Sequence, residues 1–300
     1  MSKFIYILLL FCINLFSVDF GTILSSKDKS NLIAKDISSI LNKYNIDLKI
    51  KNTLSSYESI HKLINNKNNY FFAIITKGSL SYYKQQYNFN YNKLPAILPL
   101  GDEQIHIFTN ENNNFDFEQN KTFNVYCGEK NSDSCIASQN IQNFYSFKFN
   151  YINSSEENIF NDLKNNIIDL FISIKEAPYN VYKNIKFIKL IELPTNFKME
   201  DVYVNSVITN NDYSYIDENI HVFAAKRVLI TNLKDIKYNN AINSLLKIIL
   251  LNQNYLEKQN NYKWEEIDFE YFDFKKFSIN AKKTIKILNE QRKKQDALIF

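Results

Sequence analysis

The sequence predicts an α/β protein of two lobes, each built on a mainly parallel sheet flanked by helices. Between residues 20 and 76, short apolar strands alternate with amphipathic helical segments, the pattern of a parallel βαβαβ unit whose sheet is covered on both faces. A similar alternation recurs between residues 122 and 174. A chain of 300 residues is also long for one hydrophobic core and suits two.

The first unit contains three strands and two helices. The strand FGTIL precedes the helical segment KSNLIAKDISSILNKYN, whose apolar residues recur at the spacing of one helix face. The strand DLKIKNT, the helix SYESIHKLINN and the apolar strand YFFAIIT follow. Parallel strands with both faces buried read as such near-continuous apolar runs.

An extended segment, LPAILPLGDEQIHIFT, leaves the first unit and leads to the second. There TFNVYCG and IDLFISI read as strands, and SCIASQNIQNFYSF and ENIFNDLKNNI as helices. We expect the strand HVFAAKRVLIT to return to the first sheet, and further helices over residues 238–259 and 280–295. These features assign residues 18–104 plus 222–300 to lobe 1 and residues 105–221 to lobe 2.

The amino terminus is typical of a cleavable signal peptide over residues 1–17. Lys3 precedes an apolar run from Phe4 to Phe16, and small residues around Ser17 suit cleavage. The alternatives are a retained membrane anchor or, less favoured because bulky Phe11 precedes Cys12, a lipoprotein. We therefore expect a periplasmic protein.

Composition narrows the class of partner. The formal net charge of +4 falls to about +3 once Lys3 is removed with the leader, which is too small and dispersed for nucleic acid or an anionic membrane surface. In an oxidising compartment, Cys127 and Cys135 are predicted to form a local disulfide. A metal site is the alternative, but no histidine lies nearby.

Small hydroxyl residues cluster where predicted strands end. The turns Thr22–Ser26, Thr53–Ser56, Thr76–Ser79 and Ser132–Ser134 should face one cleft, because ligands in parallel sheets bind outside the carboxyl ends of the strands. Helix N-termini there could bind a carboxylate. The alternative is that each serine only caps its helix. The candidate ligand-binding residues are Thr22, Ser25, Ser26, Thr53, Ser55, Ser56, Thr76, Lys77, Ser79, Ser132, Asp133, Ser134 and Arg227.

Three cations could balance a bound anion. Arg227 suits a bidentate carboxylate clamp, with a lobe-surface cation as the equal alternative. Lys77 and Lys130 lie within the turns themselves.

Catalytic patterns are missing from the sequence. No two of the three histidines have the spacing of a zinc motif, and neither a Gly-x-Ser-x-Gly elbow nor a phosphate-binding glycine loop occurs. Asp169 reads as a turn residue rather than a lone acid in the site. We predict a protein that is not an enzyme and needs no cofactor.

The order of these motifs resembles the TAXI family of solute-binding proteins, the receptors of a class of TRAP transporters. The resemblance is carried by FGT in the first strand, by Thr53, Ser56 and Ser59 in NTLSSYES, by CGEKNSDSC, by LKNNIIDLF with Pro178 after it, and by HVFAAKRVLIT. Thr76 and Gly78 stand where the family has Gln and Asp.

The resemblance implies a monomeric periplasmic binding protein of type II architecture. Its solute would be small, polar and carboxylate-bearing, a dicarboxylate or an amino acid such as glutamate, and its partner a TRAP-type membrane permease. The alternatives are an orphan ligand-sensing receptor or a divergent secreted interaction protein without a transport role. A secreted hydrolase ranks third.

Overall fold

The computed structural model describes most of the chain. The described residues are 18–65, 69–90, 93–113, 121–155, 157–185, 187–194, 202–233 and 239–258, with single positions 264, 283, 284, 286, 287 and 290. The predicted signal peptide, residues 1–17, and most of the predicted helix over 280–295 lie outside these residues.

Ten strands and seven helices are formed by the described residues. The strands are β1 Val18–Ser26, β2 Ile46–Thr53, β3 Tyr70–Thr76, β4 Ala96–Asn110, β5 Thr122–Tyr126, β6 Lys148–Tyr151, β7 Leu170–Lys175, β8 Ile188–Leu190, β9 Tyr203–Ile208 and β10 Ile220–Thr231. The helices are α1 Lys29–Asn42, α2 Ser56–Asn65, α3 Lys77–Tyr87, α4 Asp133–Tyr145, α5 Ile159–Lys164, α6 Asn239–Leu251 and α7 Gln253–Glu257.

The strands form one sheet in the order β2-β1-β3-β10-β4-β7-β5-β6, with β8 beside β4 and β9 beside β10. Its two ends are parallel: β1 pairs with β2 and β3, and β5 pairs with β6 and β7. We call β2-β1-β3 the first parallel set and β7-β5-β6 the second. The long strands β4 and β10 run antiparallel to each other between the sets. The predicted α/β class is confirmed.

Apolar periodicity explains the helices that pack on these strands. In α1 the buried residues Ile33, Ile37, Ile40 and Leu41 recur at helical spacing, which buries one face against the sheet. Asp28 begins the helix by accepting the backbone N–H of Ser30 at 2.9 Å, as an N-cap does.

Each parallel set has helices on both faces. One cluster of buried side chains joins α1 and α6 to the first set, and another joins α2 and α3 to its opposite face. The second set packs against α4 on one side and α5 on the other. The predicted lobe boundaries, residues 18–104 plus 222–300 and residues 105–221, stay a prediction.

Two local expectations are corrected. The predicted turn Thr22–Ser26 is wrong, because these residues complete β1 and pair with β2 up to the partners Ser26 and Thr53. After β3, the chain forms α3 rather than only a turn, capped by the Thr76 side chain and ended at Asn88, whose φ is 47°. Among the described residues, no helix combines the length and apolar character needed to cross a membrane.

Candidate functional site

A cavity of about 890 Å³ lies at the carboxyl ends of strands from both parallel sets. Residues after β1 and β2 form one wall, and residues after β5 and β7 form the opposite wall. Such a crevice is where α/β sheets of this kind bind ligands. Of the predicted ligand-binding residues, those that line it are Ser26, Thr53, Ser55, Ser132, Asp133 and Ser134.

The remaining predicted residues lie elsewhere. Thr22 and Ser25 are inside β1, and neither lines the cavity. Lys77 and Lys130 do not line it either; Lys77 is half-buried, and Lys130 is exposed in the neighbouring loop. Ser56, Thr76 and Ser79 are buried and bind the carboxylate of Asp133 instead.

Several hydroxyl groups cap helices in this structure. The Thr76 hydroxyl accepts the N–H of Ser79 at 3.3 Å, and the Ser132 hydroxyl accepts the N–H of Cys135 at 3.2 Å. The Ser55 hydroxyl likewise accepts a backbone N–H in the first turn of α2. Ser134 has another role, because its hydroxyl accepts the N–H of Ile174 in β7 at 3.0 Å. Much of the hydrogen-bonding capacity expected for a ligand is therefore used within the chain.

Arg227 lies in β10 with only 1% of its surface exposed, where it forms an ion pair with Glu103 of β4. The alternative of a lobe-surface cation is therefore wrong. Burial raises the pKa of Glu103, against the attraction of Arg227. Glu103 lines the cavity and Arg227 does not.

Charged residues that sequence analysis did not select also line the cavity. Burial would raise the pKa of Asp28, but Arg227, Ser26 and the N–H of Ser30 together lower it. Lys29 contacts Glu176 at 2.7 Å, which connects the start of α1 to the end of β7. The other charged lining residues are Lys27, Glu129 and Lys175.

The charged lining residues could have been predicted from their positions at strand ends. Asp28 and its two lysine neighbours directly follow β1, while Lys175 is the last residue of β7 and Glu176 directly follows it. The strand-end rule that selected the hydroxyl turns applies equally to these positions. Aromatic lining residues carried no such signal in a chain with 20 Tyr and 24 Phe; they are Tyr126, Phe160, Phe171, Tyr179 and Tyr182.

The predicted disulfide is confirmed. Cys127 and Cys135 are bonded, with their Cα atoms 4.8 Å apart. The bond closes the loop between β5 and α4, and several residues of this loop line the cavity. Within the described part of the chain, no group of three or more His, Cys, Asp or Glu side chains could hold a metal ion.

The chain matches no protein-family model and no curated protein sequence. Its structure is similar to solved structures of low sequence identity. SsuA from Methylobacillus flagellatus KT, described as the periplasmic sulfonate-binding protein of a putative sulfonate ABC transporter, has a TM-score of 0.53 at 11% identity, covering 92% of this chain and 78% of that one.

Two further structures bear on the fold. XAC2383 from Xanthomonas citri, solved bound to ATP, has a TM-score of 0.53 at 8% identity and covers 91% of this chain and 98% of that one. The Candida albicans CA3427 gene product, described as having the generic periplasmic binding protein fold, has a TM-score of 0.50 at 11% identity and covers 90% of both chains. The chain described here therefore has the periplasmic-binding-protein fold.

Proposed function

We propose that this protein is an exported, non-enzymatic receptor that binds a small polar, carboxylate-bearing solute in the cavity between its two parallel sets. The single observation that supports this most is the cavity itself. It lies at the carboxyl ends of strands from both sets and has charged residues on its walls. Similarity to a sulfonate-binding protein and to other proteins of this fold adds support for a binding role.

The charges of the lining favour an amino acid over a dicarboxylate. Lys27 and Lys175 can attract a carboxylate, while Asp28 and Glu129 can attract an ammonium group. A second carboxylate on the solute would have to lie near these acidic side chains, and like charges at short range repel. An amino acid offers both signs of charge to the two kinds of residue, and one with an uncharged side chain avoids the second carboxylate that glutamate would bring.

A receptor of this kind needs a route out of the cytoplasm and a partner. The predicted signal peptide provides the route to the periplasm. The resemblance to the TAXI family makes a TRAP-type permease the proposed partner, and the receptor would act as a monomer.

The function can be tested by thermal unfolding of the mature protein with a panel of amino acids, dicarboxylates and sulfonates. A ligand at one hundred times its dissociation constant adds about 2.7 kcal/mol to the free energy of unfolding, which should raise Tm by roughly 5 to 10 °C. If no carboxylate raises Tm, the receptor proposal fails and a secreted interaction protein becomes the better hypothesis.

The position of the site is tested by Lys175→Met, with Lys130→Met as the matched control. Lys175 is half-buried in the lining, whereas Lys130 is exposed outside it. A hydrogen bond to a charged group contributes about 1.5 to 3 kcal/mol, so Lys175→Met should weaken solute binding tenfold or more by calorimetry. Lys130→Met should change it less than twofold. Equal effects in both variants would place the solute elsewhere.

A further inference from the structure

One carboxylate of the cavity lining connects the two parallel sets. Asp133 is the first residue of α4, which packs on the second parallel set. Its Oδ2 accepts the hydroxyl of Ser56 at 2.8 Å, and its Oδ1 accepts the hydroxyls of Thr76, at 2.7 Å, and Ser79. All three donors belong to the first parallel set and its helices, between 54 and 77 residues away in sequence.

Backbone N–H groups also bind two of these hydroxyls. The oxygen of Ser56 already accepts the N–H of Thr76 at 3.1 Å, and the oxygen of Thr76 already accepts the N–H of Ser79 at 3.3 Å. Because an ionised carboxylate can only accept hydrogen bonds, each of these hydroxyls donates its proton to Asp133. Burial raises the pKa of Asp133, and the hydrogen bonds from Ser79, Thr76 and Ser56 oppose this by favouring the carboxylate anion.

A second contact lies beside the first. The Tyr203 hydroxyl of β9 would be only 3.0 Å from a Cβ atom placed on Gly78, so the missing side chain lets the start of α3 approach β9 closely. Asn140 of α4 donates to the same hydroxyl at 2.9 Å. The N-terminus of α3 therefore contacts α4 through Asp133 and β9 through Tyr203.

We propose that Ser56, Thr76 and Ser79 form a carboxylate-binding cradle, and that the protein's own Asp133 occupies it as a latch that keeps the cleft closed without solute. This goes beyond the proposed function, because it concerns the solute-free protein. It also assigns to the three hydroxyls an internal ligand in place of the solute carboxylate expected from sequence. The solute would then bind in the cavity, which Asp133 also lines.

The test replaces Asp133 with alanine and supplies a free carboxylate. Asp133→Ala should lower Tm and increase the radius of gyration measured by small-angle scattering, because the latch is lost. Sodium formate, which fits the space of the missing carboxylate, should reverse most of both changes, whereas sodium chloride at equal ionic strength should not. Glu129→Ala is the matched control: it removes one exposed carboxylate from the same loop and should leave both quantities unchanged.

Ser79→Ala tests the same cradle through one of its donors, and this test does not require Asp133→Ala to fold. It removes one donor and should also increase the radius of gyration, without reversal by formate, since Asp133 still occupies the cradle. The proposal is overturned if both variants scatter like Glu129→Ala. It is also overturned if Asp133→Ala loses stability that formate does not restore, which would indicate a packing role alone. Neither result depends on whether any solute is found.

Discussion

At the scale of single residues, the buried polar groups show how this chain balances burial with hydrogen bonding. His106 is fully buried beside β7. Its Nδ1–H donates to the carbonyl of Gln104 at 3.2 Å, and its Nε2 accepts the hydroxyl of Tyr213 at 2.8 Å. The same hydroxyl oxygen accepts the N–H of Tyr179 at 3.0 Å. Both ring nitrogens are thus satisfied in the neutral form, which gives this histidine a structural role.

This arrangement predicts a pH dependence of stability. Burial lowers the pKa of His106 from 6.5 to about 4, so the unfolded chain binds a proton more readily than the folded one between these values. The contribution of His106 to the free energy of unfolding should therefore be fully present above pH 6.5. It should be lost as the pH drops toward 4, which lowers the free energy of unfolding by roughly 2 to 3 kcal/mol. Urea unfolding at several pH values would measure it.

His106→Gln serves as the comparison, because glutamine keeps a donor and an acceptor but does not titrate. Its stability should be lower than that of the wild type near neutral pH and should change less between pH 6.5 and 4. If the free energy of unfolding falls equally with pH in both proteins, carboxylates and not His106 cause the loss of stability in acid.

At the scale of secondary structure, the sequence was most informative where apolar residues were periodic or continuous. The strands β3 and β7 and the helix α1 were predicted from such runs. The helix α3 was missed because Gly78 and its serine and tyrosine neighbours are weak helix formers, and the helix is favoured by the Thr76 cap and by tertiary packing of Leu80 and Tyr83.

The candidate site was predicted less completely than the elements. The predicted strand ends located the cavity walls, because the rule that ligands bind at the carboxyl ends of parallel strands depends only on the order of the strands. The hydrogen bonds between Asp133 and Ser56, Thr76 and Ser79 join residues more than 50 positions apart. No local pattern encodes such a contact, so the sequence could not distinguish hydroxyls that bind a solute from those that bind the chain itself.

The loop between β5 and α4 offers a prediction at this scale. A disulfide across eight residues should stabilise the protein by about 2 to 3 kcal/mol, mostly by restricting the unfolded chain. The double variant Cys127→Ala, Cys135→Ala should therefore lose that amount in urea unfolding measured under oxidising conditions. Under reducing conditions the difference from the wild type should become small. A persistent difference would point to lost packing of the two buried side chains.

At the scale of the whole molecule, the chain returns to the first parallel set after building the second. The strand β10 pairs with β3 and β4, and α6 adds its apolar face to the cluster that contains α1. Arg227 and Glu103 pair where β10 and β4 pass between the two sets. This path is the reason for proposing that lobe 1 combines residues 18–104 with residues 222–300.

The C-terminal part of lobe 1 can be tested through Trp264, the only tryptophan in the chain. Its side chain is fully buried in the cluster with α1 and α6, and its Nε1–H donates to Asp36 of α1 at 2.9 Å. Trp264→Ala should reduce the free energy of unfolding by about 3 to 5 kcal/mol, because it leaves a large cavity. Trp264→Phe keeps most of the apolar volume and should lose roughly 1 to 2 kcal/mol, mainly from the lost hydrogen bond.

Urea unfolding followed by circular dichroism measures both variants, since neither retains tryptophan fluorescence. If residues 222–300 belong to lobe 1, the loss in Trp264→Ala should appear in the transition of the first parallel set. The Cys127–Cys135 loop of the second set should keep the proteolytic resistance of the wild type at urea concentrations below that transition. An alanine variant as stable as the wild type would show that the C-terminal residues do not support the first set, and the discontinuous lobe assignment would have to be abandoned.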